Sequence, residues 1–216
     1  MTKKPETVKG EDLIKRKDGL YYKKYARVPF TGTSKSFFLW GGNGQTIYKD
    51  GDIESWKYYY ENGQLSERIN DDIWEFYYEN GQLLVRVNQK NGITDGLWER
   101  FYKNGQLEYK YYYENGQREG LWEYFYENGQ LKSRENYKNG QQDGLMELFH
   151  KNGQLLSKGN FKNDQEDGLW ESFYDNGQLL SRLNFKNGQL DSLWEDFDEK
   201  GNLTKTEEYN NGKLVE

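Results

Sequence analysis

Residues 120–144 read GLWEYFYENGQLKSRENYKNGQQDG and contain two Asn-Gly steps, five aromatic residues and a glycine at each end. Asn-Gly between alternating apolar and polar segments is a strong hairpin signal. A type I′ turn needs positive φ at both central positions, and Asn and Gly tolerate it. The stretch therefore predicts two short antiparallel strands joined by tight turns.

The same stretch recurs with a period of 24 residues, in six units that begin at positions 73, 97, 121, 145, 169 and 193. Each unit carries two turn signals, the first at Asn80 and its equivalents and the second at Asn91 and its equivalents. Upstream, 55–72 is a shorter unit of 18 residues and 30–54 is a more distant copy. We expect three segments: a tail with a capping hairpin over 1–29, atypical repeats over 30–72, and one continuous repeat domain over 73–216.

Hairpin register can be tested on charges. A type I′ turn at Asn128-Gly129 sets Tyr126 opposite Leu131, Tyr124 opposite Ser133 and Glu123 opposite Arg134. The same count gives an opposite-charge pair in the five units that begin at 73, 97, 121, 145 and 169, although in the last unit Glu195 would face Thr206. A type I turn with a G1 bulge at the glycine would instead slip the pairing by one residue. The charge pairs favour the first register, and the second stays open.

Composition sets the fold class. Only 34% of the 216 residues are hydrophobic and the mean hydropathy is −1.18, which is little material for a two-layer core. Disordered chains are depleted in aromatics, yet this chain has 19 Tyr, 11 Phe and 7 Trp. No stretch shows a convincing 3.6-residue period. We predict an all-β fold, an elongated single-layer antiparallel meander of tandem double-strand repeats that is curved into a trough.

Alternation places the Trp and Tyr side chains of each unit on one face. This recurrence has two interpretations, which can both hold: packing on neighbouring strands, which we favour as the main cause, and an open binding surface. The candidate binding residues are Trp74, Tyr78, Trp98, Tyr102, Trp122, Tyr124, Tyr126, Trp170, Tyr174 and Trp194.

Several kinds of chemistry are disfavoured. The chain has no Cys, and its only histidine, His150, occupies a slot that is Tyr126 and Tyr174 in sister units, so we interpret it as a packing residue. The acidic run 163–167 sits where other units have a turn and is expected to be a solvated loop rather than a calcium site. We therefore predict a protein that is not an enzyme and has no catalytic residues, metal or cofactor.

Charge and targeting signals bear on partners. The formal net charge is −6 with both signs interspersed, which argues against nucleic acid and against an anionic membrane. The N-terminal residues contain no apolar segment of the signal-peptide kind, so a cytoplasmic location is expected. A secreted precursor trimmed before Met1 stays open, as does the oligomeric state.

The pattern LWExFYxNGQLxxxxxYKNGxxDG resembles the bacterial variant of the MORN repeat, and DLIKRKDGLYYKKYARVPFTG, starting at Asp12, is similar to the segment that leads into the repeats of YwqK-like proteins. The resemblance implies a hairpin sheet and, from the YwqK-like proteins, an antitoxin or immunity protein that binds a bacterial toxin. It departs at Lys200, where KGN replaces NGQ, and at Met146, Leu148 and His150. We expect a protein-binding module, with carbohydrate or cell-envelope binding as the alternative and phospholipid binding third.

Overall fold

The computed structural model describes residues 6–37, 42–70 and 72–215, with only the backbone described at Phe37. Within these ranges the chain is almost entirely β, with one short 3₁₀ helix at Gly10–Asp12 and no α-helix. Twenty-two strands belong to a meander that is antiparallel except for one parallel pair, and two more form a separate hairpin. The predicted all-β meander is confirmed, whereas its curvature into a trough stays a prediction.

The chain divides into two compact units. The first contains residues 1–94 and 103–105, and the second contains 95–102 and 106–216. Strands of the first unit are β1 (Thr7–Lys9), β2 (Leu13–Lys15), β3 (Tyr21–Lys23), β4 (Gly32–Phe37), β5 (Asn43–Lys49), β6 (Asp52–Tyr59), β7 (Leu65–Asn70), β8 (Ile73–Tyr77) and β9 (Leu83–Lys90). Here β4 to β9 pair in chain order, β1 runs parallel to β4, and β2 with β3 forms the separate hairpin.

The second unit repeats a long hairpin followed by a short strand. It consists of β10 (Ile93–Phe101), β11 (Leu107–Glu114), β12 (Gln117–Arg118), β13 (Gly120–Phe125), β14 (Leu131–Lys138), β15 (Gln141–Gln142), β16 (Gly144–Phe149), β17 (Leu155–Lys162), β18 (Gln165–Glu166), β19 (Gly168–Phe173), β20 (Leu179–Lys186), β21 (Gln189–Leu190), β22 (Ser192–Phe197), β23 (Leu203–Asn210) and β24 (Lys213–Leu214). The start of β10 precedes the unit boundary. Each short strand extends the second turn of its repeat, and consecutive hairpins pair through their long strands, for example at Ser133 with Leu148 and Arg134 with Glu147.

The second series of turns has the predicted type I′ geometry. Asn139 has φ 51° and Gly140 φ 85°, and the pair at Asn115-Gly116 has φ 49° and 79°. The run at 163–167, expected as a solvated loop, begins with the same turn, which is exposed: Asn163 and Asp164 have φ 50° and 64°, and β18 follows. Asp164 replaces the usual glycine there, which fits the tolerance of Asp for left-handed backbone.

The first series of turns differs from the prediction. In the hairpin of β13 and β14, the amide of Gly129 donates to the carbonyl of Tyr126 at 2.8 Å, and only Gly129 of the turn residues has positive φ, at 85°. This is a type I turn with a G1 bulge, the alternative that the sequence left open. The predicted type I′ turn at Asn128 is wrong. The Asn128 side chain instead accepts the amide of Gln130 at 3.0 Å and so closes the turn.

A second bulge restores the predicted register farther from the turn. Phe125 lies opposite Leu131, but Tyr124 lies opposite Ser133, so one extra residue, Lys132, is inserted between the two pairs. The predicted opposition of Tyr126 and Leu131 is therefore wrong, whereas that of Tyr124 and Ser133 is confirmed. The two one-residue shifts cancel, which is why charge counting succeeded with the wrong turn type.

Candidate binding surfaces

Tryptophans in the second unit form a packed aromatic face. We call the side of the sheet that carries Trp98, Trp122, Trp170 and Trp194 the tryptophan face. The Trp122 ring is 3% exposed and stacks on Tyr111, with ring centroids 3.9 Å apart. Its indole nitrogen donates to the carbonyl of Tyr112 at 3.2 Å, and Tyr137 packs at 4.8 Å. Packing on neighbouring strands therefore accounts for the most buried member of this face.

Arg118 covers part of the aromatic face. Its guanidinium lies 4.7 Å from the Trp122 ring and 5.2 Å from the Tyr137 ring. Burial, with help from the Glu135 carboxylate that accepts its hydroxyl, raises the pKa of Tyr137 to about 12. Burial also raises the pKa of Tyr111. These phenols are thus neutral at physiological pH and contribute ring area rather than charge.

Tyrosines at the first turn series link consecutive hairpins. The Tyr102 hydroxyl donates to the Phe125 carbonyl at 2.9 Å, and Tyr126 donates in the same way to Phe149 at 2.8 Å. Tyr174 bonds equivalently to Phe197 at 2.9 Å. His150 occupies this slot as predicted, with Nε2 3.2 Å from the Phe173 carbonyl. Its place in the series explains its position without any catalytic role.

We expect Tyr126→Phe to destabilise the second unit by about 1 kcal/mol, because one hydrogen bond to a carbonyl is lost while the ring stays. His150→Tyr should be neutral or slightly stabilising, since tyrosine is the residue that sister repeats use there. Urea unfolding followed by tryptophan fluorescence measures both. Equal stability of Tyr126→Phe and wild type would contradict the assigned role of the hydroxyl.

The opposite side of the sheet, here called the ionic face, carries a ladder of charge pairs. Arg134 lies opposite Glu123 in its own hairpin, as predicted, and opposite Glu147 in the next, to which it is ion-paired. The sequence argument considered charge pairs only within one hairpin and so missed the ion pairs between consecutive hairpins. Glu195, which it set against Thr206, is paired with Arg182 at 2.5 Å. The cations are about half exposed, so each pair contributes little stability by itself and the ladder mainly fixes register.

Glu75 in the first unit is the most enclosed carboxylate of this kind, at 3% exposure. Arg86 donates to it at 3.0 Å, Arg68 at 2.6 Å and the Tyr77 hydroxyl at 2.9 Å. Burial raises the pKa of Glu75, but the hydrogen bonds from Tyr77 and both arginines and the charge of Arg68 lower it more, so the net pKa lies below the ordinary 4.5.

A lowered carboxyl pKa stabilises the fold above the unfolded-state pKa and loses that contribution as the pH falls through the folded-state pKa. We therefore expect Glu75→Gln to cost about 2 kcal/mol at pH 7. The difference from wild type should shrink below pH 4.5, the ordinary value for this group. Chemical unfolding at several pH values between neutral and strongly acidic tests this. A difference that does not change with pH would rule out the charged form as its source.

The other predicted binding residues lie in equivalent packed slots. Trp74 is opposite Ile69 and Val87, which are both buried. Trp170 packs edge-on against Phe161 at 5.3 Å, and Trp194 lies 6.1 Å from Tyr209. Tyr124 contacts Tyr111 at 5.3 Å, and Lys103 lies 5.9 Å from the Tyr78 ring.

Three of the predicted residues, Trp98, Trp122 and Tyr124, belong to one aromatic cluster. They are brought together by Tyr109, Tyr111 and Tyr113, which the sequence prediction omitted. A binding role for any of them stays a prediction.

Leucines on the ionic face are more open. We call Leu121, Leu145, Leu169 and Leu193 the leucine column; they hold the same position in consecutive repeats and are 39–44% exposed. Tyr112, which is 45% exposed, lies on the same face opposite Leu97. The sequence contains the pattern behind this column. In each repeat, strand alternation places the leucine of the Leu-Trp or Leu-Met step on the same face as the charged residues.

A family profile described as MORN repeat variant matches residues 55–70, 73–91, 94–115, 118–139, 142–163 and 166–187, which is more than half of the chain. The chain belongs to the MORN repeat variant family. MORN repeats are generally protein- or membrane-binding modules. A search of curated proteins finds no match to this chain. The hairpin of β22 and β23 lies beyond the last matched segment, yet it keeps the repeat register, with Glu195 opposite Thr206.

Two further findings concern other kinds of site. Over the described part of the chain, no group of three or more His, Cys, Asp or Glu side chains is arranged to hold a metal ion. Likewise, none of the described helices is long and apolar enough to cross a membrane.

Proposed function

We propose that this MORN protein is a non-enzymatic protein-binding module that uses the leucine column as the centre of its contact surface. The supporting observation is the exposure of four large apolar side chains at one repeated position, while the tryptophan face holds its most buried ring, Trp122, at 3% exposure. Protein interfaces place apolar side chains at their centre and polar groups at the rim.

Geometry suits a partner with an extended or helical contact element. Neighbouring strands lie about 4.8 Å apart, so leucines on consecutive two-strand hairpins repeat at about 10 Å. Seven residues of an α-helix rise by about 10.5 Å, so a helix with one apolar residue per heptad can meet successive leucines. The ion-pair ladder beside the column pairs each cation with a carboxylate, so this face presents little net charge that would repel a partner.

The finer proposal concerns the partner. The likeness of the segment from Asp12 onward to the leader of YwqK-like proteins supports a bacterial toxin, which the module would neutralise by covering its working surface. Binding alone can supply such inhibition, so the proposal needs no catalytic group in this chain. A cytoplasmic location of the complex is part of the proposal.

To test the function, the tagged protein is recovered from lysate of its host after crosslinking, in parallel with a Leu121→Ser/Leu145→Ser/Leu169→Ser/Leu193→Ser variant. We expect one stoichiometric protein that copurifies with wild type and is lost with the variant. Toxicity of that protein when expressed alone would support the antitoxin role. Binding only to a glycan array, or flotation only with phospholipid vesicles, would reject the protein-binding proposal in favour of those ligands.

A further inference from the structure

The first unit contains an open cleft of about 810 Å³ at the turn end of β6 and β7. Its lining includes Tyr58, Tyr59, Tyr60, Glu61, Glu67 and Glu79. The cleft thus combines three consecutive tyrosines with three glutamates.

Hydrogen bonds hold several lining groups in place. Tyr60 donates its hydroxyl to the Tyr77 carbonyl at 2.6 Å, and the Asn62 amide donates to the Glu79 carbonyl at 3.0 Å. The Glu67 carboxylate lies opposite Tyr58 and accepts the indole N–H of Trp56 at 3.0 Å. The lining is therefore built by the fold before any ligand binds.

The charged residues among the described lining of the cleft are all acidic. No Lys, Arg or His occurs among its described lining residues, and Glu61, Glu67 and Glu79 belong to none of the ion pairs found over the described part of the chain. Burial raises the pKa of Tyr58 and of Tyr60, and the charges of Glu67 and Glu79 raise them further. The phenols consequently stay neutral while the glutamates give the cleft a negative potential.

We propose that this cleft binds an arginine side chain from a basic segment of a partner protein. The negative face of an aromatic ring attracts cations, and a planar guanidinium can stack on tyrosine while it donates to carboxylates on either side. The three glutamates supply the complementary charge that such a segment needs. This site does not depend on the leucine column, which belongs to the second unit.

The test uses a fluorescein-labelled peptide, Gly-Ser-Arg-Gly-Arg-Ser-Gly, titrated with the full chain and read by fluorescence anisotropy. We expect Glu61→Gln/Glu67→Gln/Glu79→Gln to raise the Kd at least tenfold. The side-chain carbonyl that Glu67→Gln introduces can still accept the Trp56 N–H, so the wall of the cleft is kept. A control, Glu127→Gln/Asp175→Asn/Glu199→Gln, removes the same number of charges from second-unit turn positions that correspond to Glu61 and Glu79, and it should change the Kd less than twofold.

A peptide with citrulline in place of both arginines keeps the shape and loses the charge, and we expect no measurable binding of it. Equal losses in the two triple variants would reduce the effect to general electrostatic attraction and overturn the proposal. Unchanged affinity in the cleft variant, or equal binding of the citrulline peptide, would also overturn it. If the triple variant fails to fold by near-UV circular dichroism, the exposed Glu61→Gln alone, against Glu199→Gln, decides by the same comparison.

Discussion

Trp122→Ala is expected to destabilise the second unit by about 4 kcal/mol, the usual cost of removing a buried tryptophan from a packed core. Trp122 is the most buried large side chain of that unit, and its ring contacts Tyr111, Tyr113 and Tyr137. A single-layer sheet has no second layer to close over the space, so these tyrosines would be left exposed to water. Urea unfolding monitored by circular dichroism gives the free-energy difference.

Trp194→Ala is the matched control, because Trp194 holds the same position in the last repeat. Its one aromatic neighbour among the described residues is Tyr209, at 6.1 Å, and its indole N–H bonds to Asp196 at 2.7 Å. We expect less than half the destabilisation of Trp122→Ala. Equal losses at the two positions would mean that the aromatic cluster around Tyr111 adds nothing to stability.

Gly159→Ala is expected to cost about 3 kcal/mol, at the upper end of typical overpacking penalties. The added Cβ would lie 2.1 Å from Cδ2 of Trp170, whose ring lies directly over the glycine. Backbone conformation is not the reason, since Gly159 is absent from the residues with positive φ. In sister repeats the equivalent position holds larger residues such as Glu135 and Leu183. The need for glycine at position 159 therefore comes from the Trp170 ring and not from the repeat itself.

A double-mutant cycle isolates that contact. In a Trp170→Leu background the smaller side chain leaves room for Cβ, and we expect the cost of Gly159→Ala to fall below about 1 kcal/mol. Unfolding free energies of wild type, both single variants and the double variant give the coupling. Additive effects would show that the clash with Trp170 is not the cause.

The repeat and the strand register at the charged positions could be predicted from the sequence, because both recur in every unit, whereas the short third strand of each repeat was not predicted. Asn91 and its equivalents combine two residues that tolerate positive φ and indeed form type I′ turns. At Asn128-Gly129 the same dipeptide forms a type I turn with a G1 bulge. The dipeptide alone cannot distinguish the two, since only the neighbours decide whether Asn lies at a left-handed position or accepts the Gln130 amide.

Which face is exposed was harder to predict, because alternation assigns a side chain to a face but does not give its exposure. Trp122 and Leu121 are adjacent in sequence, yet one is 3% exposed and the other 42%. Their difference arises from Tyr111 and Tyr137, which neighbouring strands place on the tryptophan side. The cleft beside Tyr58 was also outside what the repeat could predict, because it lies in the atypical repeats that lack the regular period.

The affinity of the copurified partner for two variants with matched loss of apolar surface decides between the leucine column and the tryptophan face. One is the quadruple leucine-to-serine variant of the leucine column, and the other is Trp98→Leu/Trp170→Leu on the tryptophan face. With both variants folded by circular dichroism, isothermal titration calorimetry should show at least a hundredfold weaker binding for the first and less than a threefold change for the second. Unchanged affinity of the leucine-column variant together with a large loss in the tryptophan variant would contradict binding through the leucine column and assign binding to the tryptophan face.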